Sequence, residues 1–429
     1  NNKISKVYLL SRDHEEIEVN LLDFDDFTYN RNKEDDRNYY SIIIGNNGTG
    51  KSRILSGIAN YFIGRKPRNY RIEIEPRFSP DKVIAMTSSI SDKFPIDDSM
   101  RNIGINSSVE FRNELYTYLG NRNKTFGFSS RALINRALDI IFQTYDSIKN
   151  NRRTFAHIFK YLDYEPILRV HSRIRHDKLK RFVESKQGSF FNENLFIEYI
   201  NDQSLKTDFN KKYFNDLIES YQGNSTDIVS FLNDLLISNR RGISIDLSFS
   251  NDELSFYEDQ SSLFEDSRIK TYKLLSILQR IGLVGSYDIR LISKKGFEFK
   301  FDEASSGEAN ILSSMLALAA LAQDNSIILI DEPEISLHPH WQYKYMDLVR
   351  ETLKHVRRCH IIVATHSHFI LSDVPEEDST VVALQKNKDH KVTSKIIKKE
   401  TYNQSADFIL LNIFGIPTTR NWYLRRIIS

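Results

Sequence analysis

One cysteine in 429 residues, Cys359, excludes an intramolecular disulfide and a cysteine-rich metal site, and it fits a reducing, cytoplasmic compartment. Its place beside the strand expected over His360 to Ala364 favours a buried structural thiol over a nucleophile. No apolar run approaches the ~18 to 20 residues that span a bilayer, so no membrane partner is expected. The stretch Ile311 to Ala322 is too short for that role and reads as a core helix. A net charge of only +2 excludes a protein that binds nucleic acid by overall charge, so any basic surface must be local. Internal repeats, long low-complexity segments and sustained heptads are missing as well. The chain begins Asn1-Asn2 without Met, which leads us to expect a trimmed or partly ordered form of a longer protein.

What is present is an ordinary globular composition and more length than one average domain needs, so a compact domain with a sizeable insertion is expected. Strand-like residues from Lys6 to Leu10 and from Glu16 to Leu22 lead to a buried strand, Tyr40 to Ile44, that ends in a glycine loop. Beyond Ser52, the residues Ile54, Leu55, Ile58, Ala59, Tyr61 and Phe62 recur at helical spacing. Val83 to Thr87 and Leu115 to Leu119 read as further strands. Between Ser129 and Leu283 the texture turns amphipathic and rich in Asn, Arg, Lys, Phe and Tyr, with helices expected over Arg131 to Ile148 and Arg268 to Ile281. Ile289 to Phe301, broken at Lys294-Lys295-Gly296, is a hairpin expected to return the chain to the core. Helix 308–322, strand 326–330, helix 340–355 and strand 360–364 follow with short loops, the succession of a parallel α/β sheet. The expected organisation is a core in two parts, residues 1–128 and 284–429, around a helical insertion, 129–283.

Four short segments carry chemistry. In Gly45-Asn46-Asn47-Gly48-Thr49-Gly50-Lys51-Ser52 the glycines let backbone N–H groups close around phosphate oxygens, and the following helix points its positive end at them. Lys51 would reach the outer phosphates and Ser52 would offer its hydroxyl to Mg²⁺. A chance glycine-rich turn is the plain alternative, and the strand before and helix after weigh against it. Ile327 to Ile330 deliver Asp331 and Glu332 to the carboxyl end of a strand, the edge where open α/β sheets bind ligands. Asp331 would hold Mg²⁺ through water and Glu332 would be the general base, the alternative being a solvated acidic turn. Glu334 reads equally well as a cap of the next turn. Ser305-Ser306-Gly307-Glu308 taken alone is a helix cap. A lone histidine such as His366, in Thr365-His366-Ser367, is usually structural.

In this order the four segments resemble the ABC-type ATPases. Lying about two dozen residues before Asp331, Ser305 to Glu308 is similar to their signature motif, in the Ser-Ser-Gly-Glu form of RecF-like, OLD-like and Rad50-like relatives. The resemblance implies an α/β fold, an ABC-type P-loop ATPase core with a large inserted helical region. It also implies ATP and Mg²⁺ as cofactors, and hydrolysis carried by Lys51, Glu332 and a switch histidine, His366. In that family the signature touches the γ-phosphate bound by the opposite subunit, which implies an ATP-sandwich dimer or higher oligomer. Leu337-His338-Pro339 resembles the segment that meets its twin across the dimer. No residue matches the family's glutamine loop: Ser88, Ser89 and Asp92 stand where a Gln is expected.

Lys82 to Met86, Asp92 to Pro95, Tyr118-Leu119-Gly120, Asp331 to Pro339 and Ala364 to Ser372 resemble the stand-alone ATPases of bacterial anti-phage defence. The best match is to the PtuA family of Septu systems, including its retron-associated form, with PARIS AriA and the ATPase half of OLD nucleases as relatives. The likeness covers the core at both ends of the chain and is weak over the insertion. It implies a subunit that senses infection and controls a separate HNH nuclease, PtuB-like, in retron systems alongside a reverse transcriptase with its RNA–DNA hybrid. No intrinsic nuclease is expected, because the roughly sixty residues after His366 hold no acidic metal cluster. The alternative is a RecF- or Rad50-like DNA-binding ATPase of DNA repair. Two surfaces stay open. Arg169, Arg173, Arg175, Lys178, Lys180 and Arg181, with His171 and His176, form either a solvated helix face or a surface for nucleic acid or an acidic partner. The aromatic and basic tail from Ser405 to Arg426 is either core or docking surface.

Overall fold

The computed structural model describes residues 3–11, 16–23, 36–67, 69–89, 91–96, 115–120, 130–144, 151–204, 225–238, 242–249, 255–258, 278–279, 282–285, 287–374, 377–387 and 391–397. The chain divides into two compact units, one of Asn1–Ile96, Phe111–Phe128 and Ser306–Ser429, the other of Asp97–Glu110 and Ser129–Ser305. In chain order the strands are β1 (Lys6–Ser11), β2 (Glu16–Asn20), β3 (Tyr39–Gly45), β4 (Tyr70–Glu75), β5 (Lys82–Thr87), β6 (Tyr116–Leu119), β7 (Tyr164–Arg173), β8 (Gly242–Ser248), β9 (Ser255–Glu258), β10 (Asp288–Ser293), β11 (Glu298–Lys300), β12 (Ser326–Asp331), β13 (His360–Thr365), β14 (Ser379–Lys386) and β15 (Val392–Ile396). The helices are α1 (Lys51–Phe62), α2 (Ser130–Gln143), α3 (Arg152–Tyr161), α4 (His176–Ser185), α5 (Glu193–Ser204), α6 (Ser225–Ser238), α7 (Ser306–Leu321), α8 (Pro339–Tyr343), α9 (Tyr345–Thr352) and α10 (His368–Leu371).

In the first unit the aliphatic runs of β3, β5, β12 and β13 are buried almost end to end, as strands covered on both faces must be. They belong to a sheet of order β15-β14-β3-β13-β12-β5-β6. It is parallel throughout except for β15, which runs antiparallel to β14. Register opposes Asp331 to Ala364 and Ala364 to Ile43, so the carboxyl ends of β3, β12 and β13 emerge side by side on one edge. Helix α1 buries Ile54, Leu55, Ile58 and Ala59 in a core shared with Val7, Leu9, Val19 and Ile74 of the small antiparallel sheet β2-β1-β4. The helix expected over 340–355 is two helices, α8 and α9, parted at Lys344 (φ −106°).

Two buried polar groups on this sheet have defined states. Ile4 N–H donates to His360 Nδ1 at 3.1 Å, so the proton sits on Nε2, which faces Ser41 Oγ at 2.7 Å. Ser41 spends its own proton on the Leu21 carbonyl at 2.6 Å. His360 is therefore neutral, and burial pushes its pKa down to about 3. Cys359 is fully buried and its thiol is pushed up to about 12, which suits the structural role read from the sequence.

The second unit corrects the expectation of a helical insertion over 129–283. Besides α2 to α6 it contains an antiparallel sheet of order β11-β10-β7-β8-β9. The reason lies in β7, where Leu168, Val170 and Ser172 are buried while His171 and Arg173 are exposed, a period of two written partly in charged residues. Ile243, Ile245 and Leu247 of β8 and Ile289 and Leu291 of β10 complete the buried face. Phe155 and Phe159 of α3 stack on Phe249 at 5.4 and 5.3 Å between ring centroids. The hairpin expected from Ile289 to Phe301 forms, with Gly296 at φ +82° in its turn. It pairs with β7 in this unit rather than returning to the parallel sheet, so the expected boundary at 283 falls instead near 305.

The basic run is likewise not one helix face. Arg169 and Arg173 lie on β7, and Lys178, Lys180 and Arg181 on α4. Arg169 holds both oxygens of Asp246 at 2.8 Å and reaches Glu298 at 2.5 Å, and Glu298 also takes Arg290 at 3.0 Å. Helix α2 covers the first part of Arg131 to Ile148. Apart from Leu278 and Gln279, the helix expected over Arg268 to Ile281 lies outside the described residues, as does the tail from Ser405 to Arg426. Among the described residues no helix is long and apolar enough to cross a membrane.

Candidate functional site

The loop after β3 turns on glycine. Gly48 and Gly50 have φ of +77° and +96°, a region costly for other residues, and Thr49 folds back on the Asn46 carbonyl at 2.8 Å. Asn46, Asn47 and Gly48 are exposed, and α1 starts after Gly50 without a side-chain cap. The first-turn N–H groups are thereby presented to the loop, the arrangement that suits an anion. Lys51 is buried beneath it. Its ammonium donates to the Gly45 carbonyl at 2.9 Å and to His366 Nε2 at 2.7 Å. Burial lowers its pKa, against Glu332, Asp331 and Glu334, which raise it.

The acids arrive from β12. Asp331 is 1% exposed and accepts from Ser52 Oγ at 3.1 Å. Burial pushes its carboxyl up to about 7, opposed by the Ser52 hydrogen bond. Glu332 is half-buried, with φ +48° as the chain leaves the strand and its N–H still bonded to the Ala364 carbonyl at 2.9 Å. Its carboxylate lies 3.6 Å from His366 Nε2. Burial and the Lys51 charge lower the His366 pKa while Glu332 and the Gly45 backbone raise it; the Lys51 ammonium can only donate, so Nε2 accepts from it.

Lys51, Ser52, Asp331, Glu332 and His366, widely spaced in sequence, therefore meet at one sheet edge. Ser305 and Ser306 are exposed, Glu308 is half-buried, and Gly307 packs so closely that a Cβ there would lie 2.6 Å from the Ser336 carbonyl oxygen. Two participants carried too weak a sequence signal to be assigned. Glu334 accepts from Thr365 Oγ1 at 2.8 Å and from His366 N–H at 2.6 Å. Gln342 accepts from Ser367 Oγ at 2.7 Å and donates to the Leu337 carbonyl at 2.9 Å. Asp92, at the position where a glutamine was sought, is a buried structural acid that holds Tyr118 Oη at 2.7 Å and Phe94 N–H at 2.9 Å.

Comparison with known proteins gives similarity at three levels. The chain is 23% identical over 400 residues to "Retron Vc95 probable ATPase" of Vibrio cholerae serotype O1 biovar El Tor, covering 85% of this chain and 72% of that protein. It is 27% identical over 119 residues to "Protein ea59" of Escherichia phage lambda, covering 28% of this chain and 22% of that one. Among solved structures, an Smc head bound to the C-winged helix domain of ScpA aligns with 93% of this chain and 98% of its own at 12% identity and TM-score 0.33. UvrA2 from Deinococcus radiodurans aligns with 91% of this chain and 36% of its own at 12% identity and TM-score 0.32. The family model described as "AAA domain, putative AbiEii toxin, Type IV TA system" matches residues 41–372, from the middle of β3 to the end of α10, and so spans every residue of the cluster. The chain belongs to this AAA-domain family and is an ATPase.

Proposed function

We propose that this chain is the ATP-binding and ATP-hydrolysing subunit of an anti-phage defence complex, of the PtuA type found in Septu and retron-associated systems. In this reading it controls a separate HNH nuclease, with a reverse transcriptase and its RNA–DNA hybrid as further partners. The observation that carries the hydrolytic part is the meeting of Lys51, Ser52, Asp331, Glu332 and His366 at the carboxyl edge of a parallel sheet. The defence context is supported by the similarity to the retron ATPase along most of both chains.

The residues present fit ATP with Mg²⁺. An exposed glycine loop at an uncapped helix start suits the phosphates, and a hydroxyl beside a buried carboxylate is the oxygen donor set that Mg²⁺ prefers. Ser52 and Asp331 would hold the ion, which when bound supplies positive charge to the phosphates. Lys51, held by the loop's own carbonyls, would turn to an anion placed in that loop. Glu332 is the general base that orients the attacking water, and His366, as an acceptor, steers Lys51. Ser306 is exposed at the start of α7, which suits a site completed by the signature of a second copy.

Lys51→Ala is expected to weaken nucleotide binding, and Glu332→Gln to bind normally while hydrolysing about 100-fold or more slowly. Nucleotide titration and phosphate release check both, and normal hydrolysis by Glu332→Gln refutes the base. Co-expression with an HNH protein encoded beside it should yield a stable complex. The purified chain alone should cut neither DNA nor RNA with Mg²⁺ or Mn²⁺. Cleavage by the chain alone, lost on a point mutation in it, refutes the separate-effector reading.

A further inference from the structure

Glu334 follows Asp331 by three residues, yet its carboxylate is engaged by the neighbouring loop. One oxygen accepts from Thr365 Oγ1 at 2.8 Å and the other from the backbone N–H of His366 at 2.6 Å. The Thr365 hydroxyl meanwhile accepts from Ser367 N–H at 2.9 Å, so its single proton is directed at Glu334. Both carboxylate oxygens thus bridge two consecutive residues just where β13 ends. The backbone direction of His366 is set there, and its ring stands 2.7 Å from Lys51 Nζ and 3.6 Å from Glu332. A partly buried carboxylate accepting two hydrogen bonds is a stiff link between loops, because releasing it strands a charge and two donors.

We propose that Glu334 is a positioning residue for ATP hydrolysis, its carboxylate fixing the Thr365-His366 backbone so that the imidazole stands between Lys51 and Glu332. This rests on the role given above to His366. The chemistry also says which substitutions matter. His366 N–H is a donor that cannot reverse and needs an acceptor, whereas the Thr365 hydroxyl can turn to accept from an amide. Glu334→Gln therefore keeps the bridge, and Glu334→Ala removes it.

The test is steady-state ATP hydrolysis with nucleotide binding measured in parallel on the full chain. Glu334→Ala should lower kcat about 10- to 100-fold, the range for residues that orient catalytic groups, with KM and nucleotide Kd changed less than about twofold. Glu334→Gln should recover most of the rate. In a His366→Ala background, adding Glu334→Ala should cost nothing further, because its effect passes through the imidazole. Should Glu334→Ala fail to fold, Thr365→Val removes one of the two hydrogen bonds, and a smaller kcat loss that again vanishes in the His366→Ala background supports the same role. Full-rate hydrolysis by a folded Glu334→Ala, or by Thr365→Val in its stead, overturns the proposal, and so does a loss that multiplies with that of His366→Ala. His366→Ala hydrolysing at the wild-type rate refutes the role of His366 itself, and the positioning role falls with it. A slow His366→Ala beside a full-rate Glu334→Ala refutes the positioning role alone.

Discussion

His360 makes the stability of the first unit depend on pH in a calculable way. Its ring is fully buried, accepts from Ile4 N–H, and is held neutral with a pKa of about 3, by burial first and nearby Lys3 second. The unfolded chain returns it to about 6.5. Above pH 6.5 neither state takes the proton. Between pH 6.5 and 3 only the unfolded state does, so stability falls as the pH falls. Linkage puts the loss from this group at about 2 kcal/mol between pH 7 and pH 5, with a limiting slope of about 1.4 kcal/mol per pH unit. The comparison is with His360→Asn, which keeps a polar side chain and removes the titration. Urea unfolding of both proteins at pH 7 and pH 5 should show the wild type losing about 2 kcal/mol more than the variant. Equal losses would mean that the folded state accommodates the imidazolium, and would refute the neutral, hydrogen-bonded state described for this residue.

Two further outcomes concern the signature segment. Mixing Lys51→Ala and Ser306→Arg proteins in equal amounts, under conditions of subunit exchange, should restore about a quarter of wild-type sites if each site takes its loop from one copy and its signature from another. Mixtures no more active than either variant refute the shared site. Gly307→Ala drives a Cβ to 2.6 Å from the Ser336 carbonyl oxygen. It should therefore destabilise the protein by about 1–3 kcal/mol in thermal unfolding, and an unchanged melting temperature would show that the contact relaxes without cost.

The central strands β3, β5, β12 and β13 were legible because they carry aliphatic runs, which burial on both faces demands, whereas β14 and β15 at the edge of the same sheet were not read. The five-stranded sheet of the second unit was not legible either. Strand β7 alternates Leu168, Val170 and Ser172 with Arg169, His171 and Arg173, and the Arg169 charge is balanced by Asp246 and Glu298 from distant stretches of sequence, so locally the strand reads as a basic run. Within the site, Lys51, Ser52, Asp331 and Glu332 announced themselves by spacing. His366 needed the other segments for meaning. The part played by Glu334 depends on which loop its carboxylate meets, a fact of tertiary structure with no local signal.

The sheet order also sets a timetable for synthesis. Strand β3, which carries the glycine loop, lies between β13 and β14, so both its neighbours are translated about 300 residues after it. At ~5–20 residues per second the loop's strand emerges from the ribosome about 15–60 s before either flank exists. In that interval its row of Ile42, Ile43 and Ile44 has no ladder partner, and the stretches of the second unit that separate it from its neighbours are made in between. Truncated translation products ending before His360 should therefore bind holdase chaperones and aggregate.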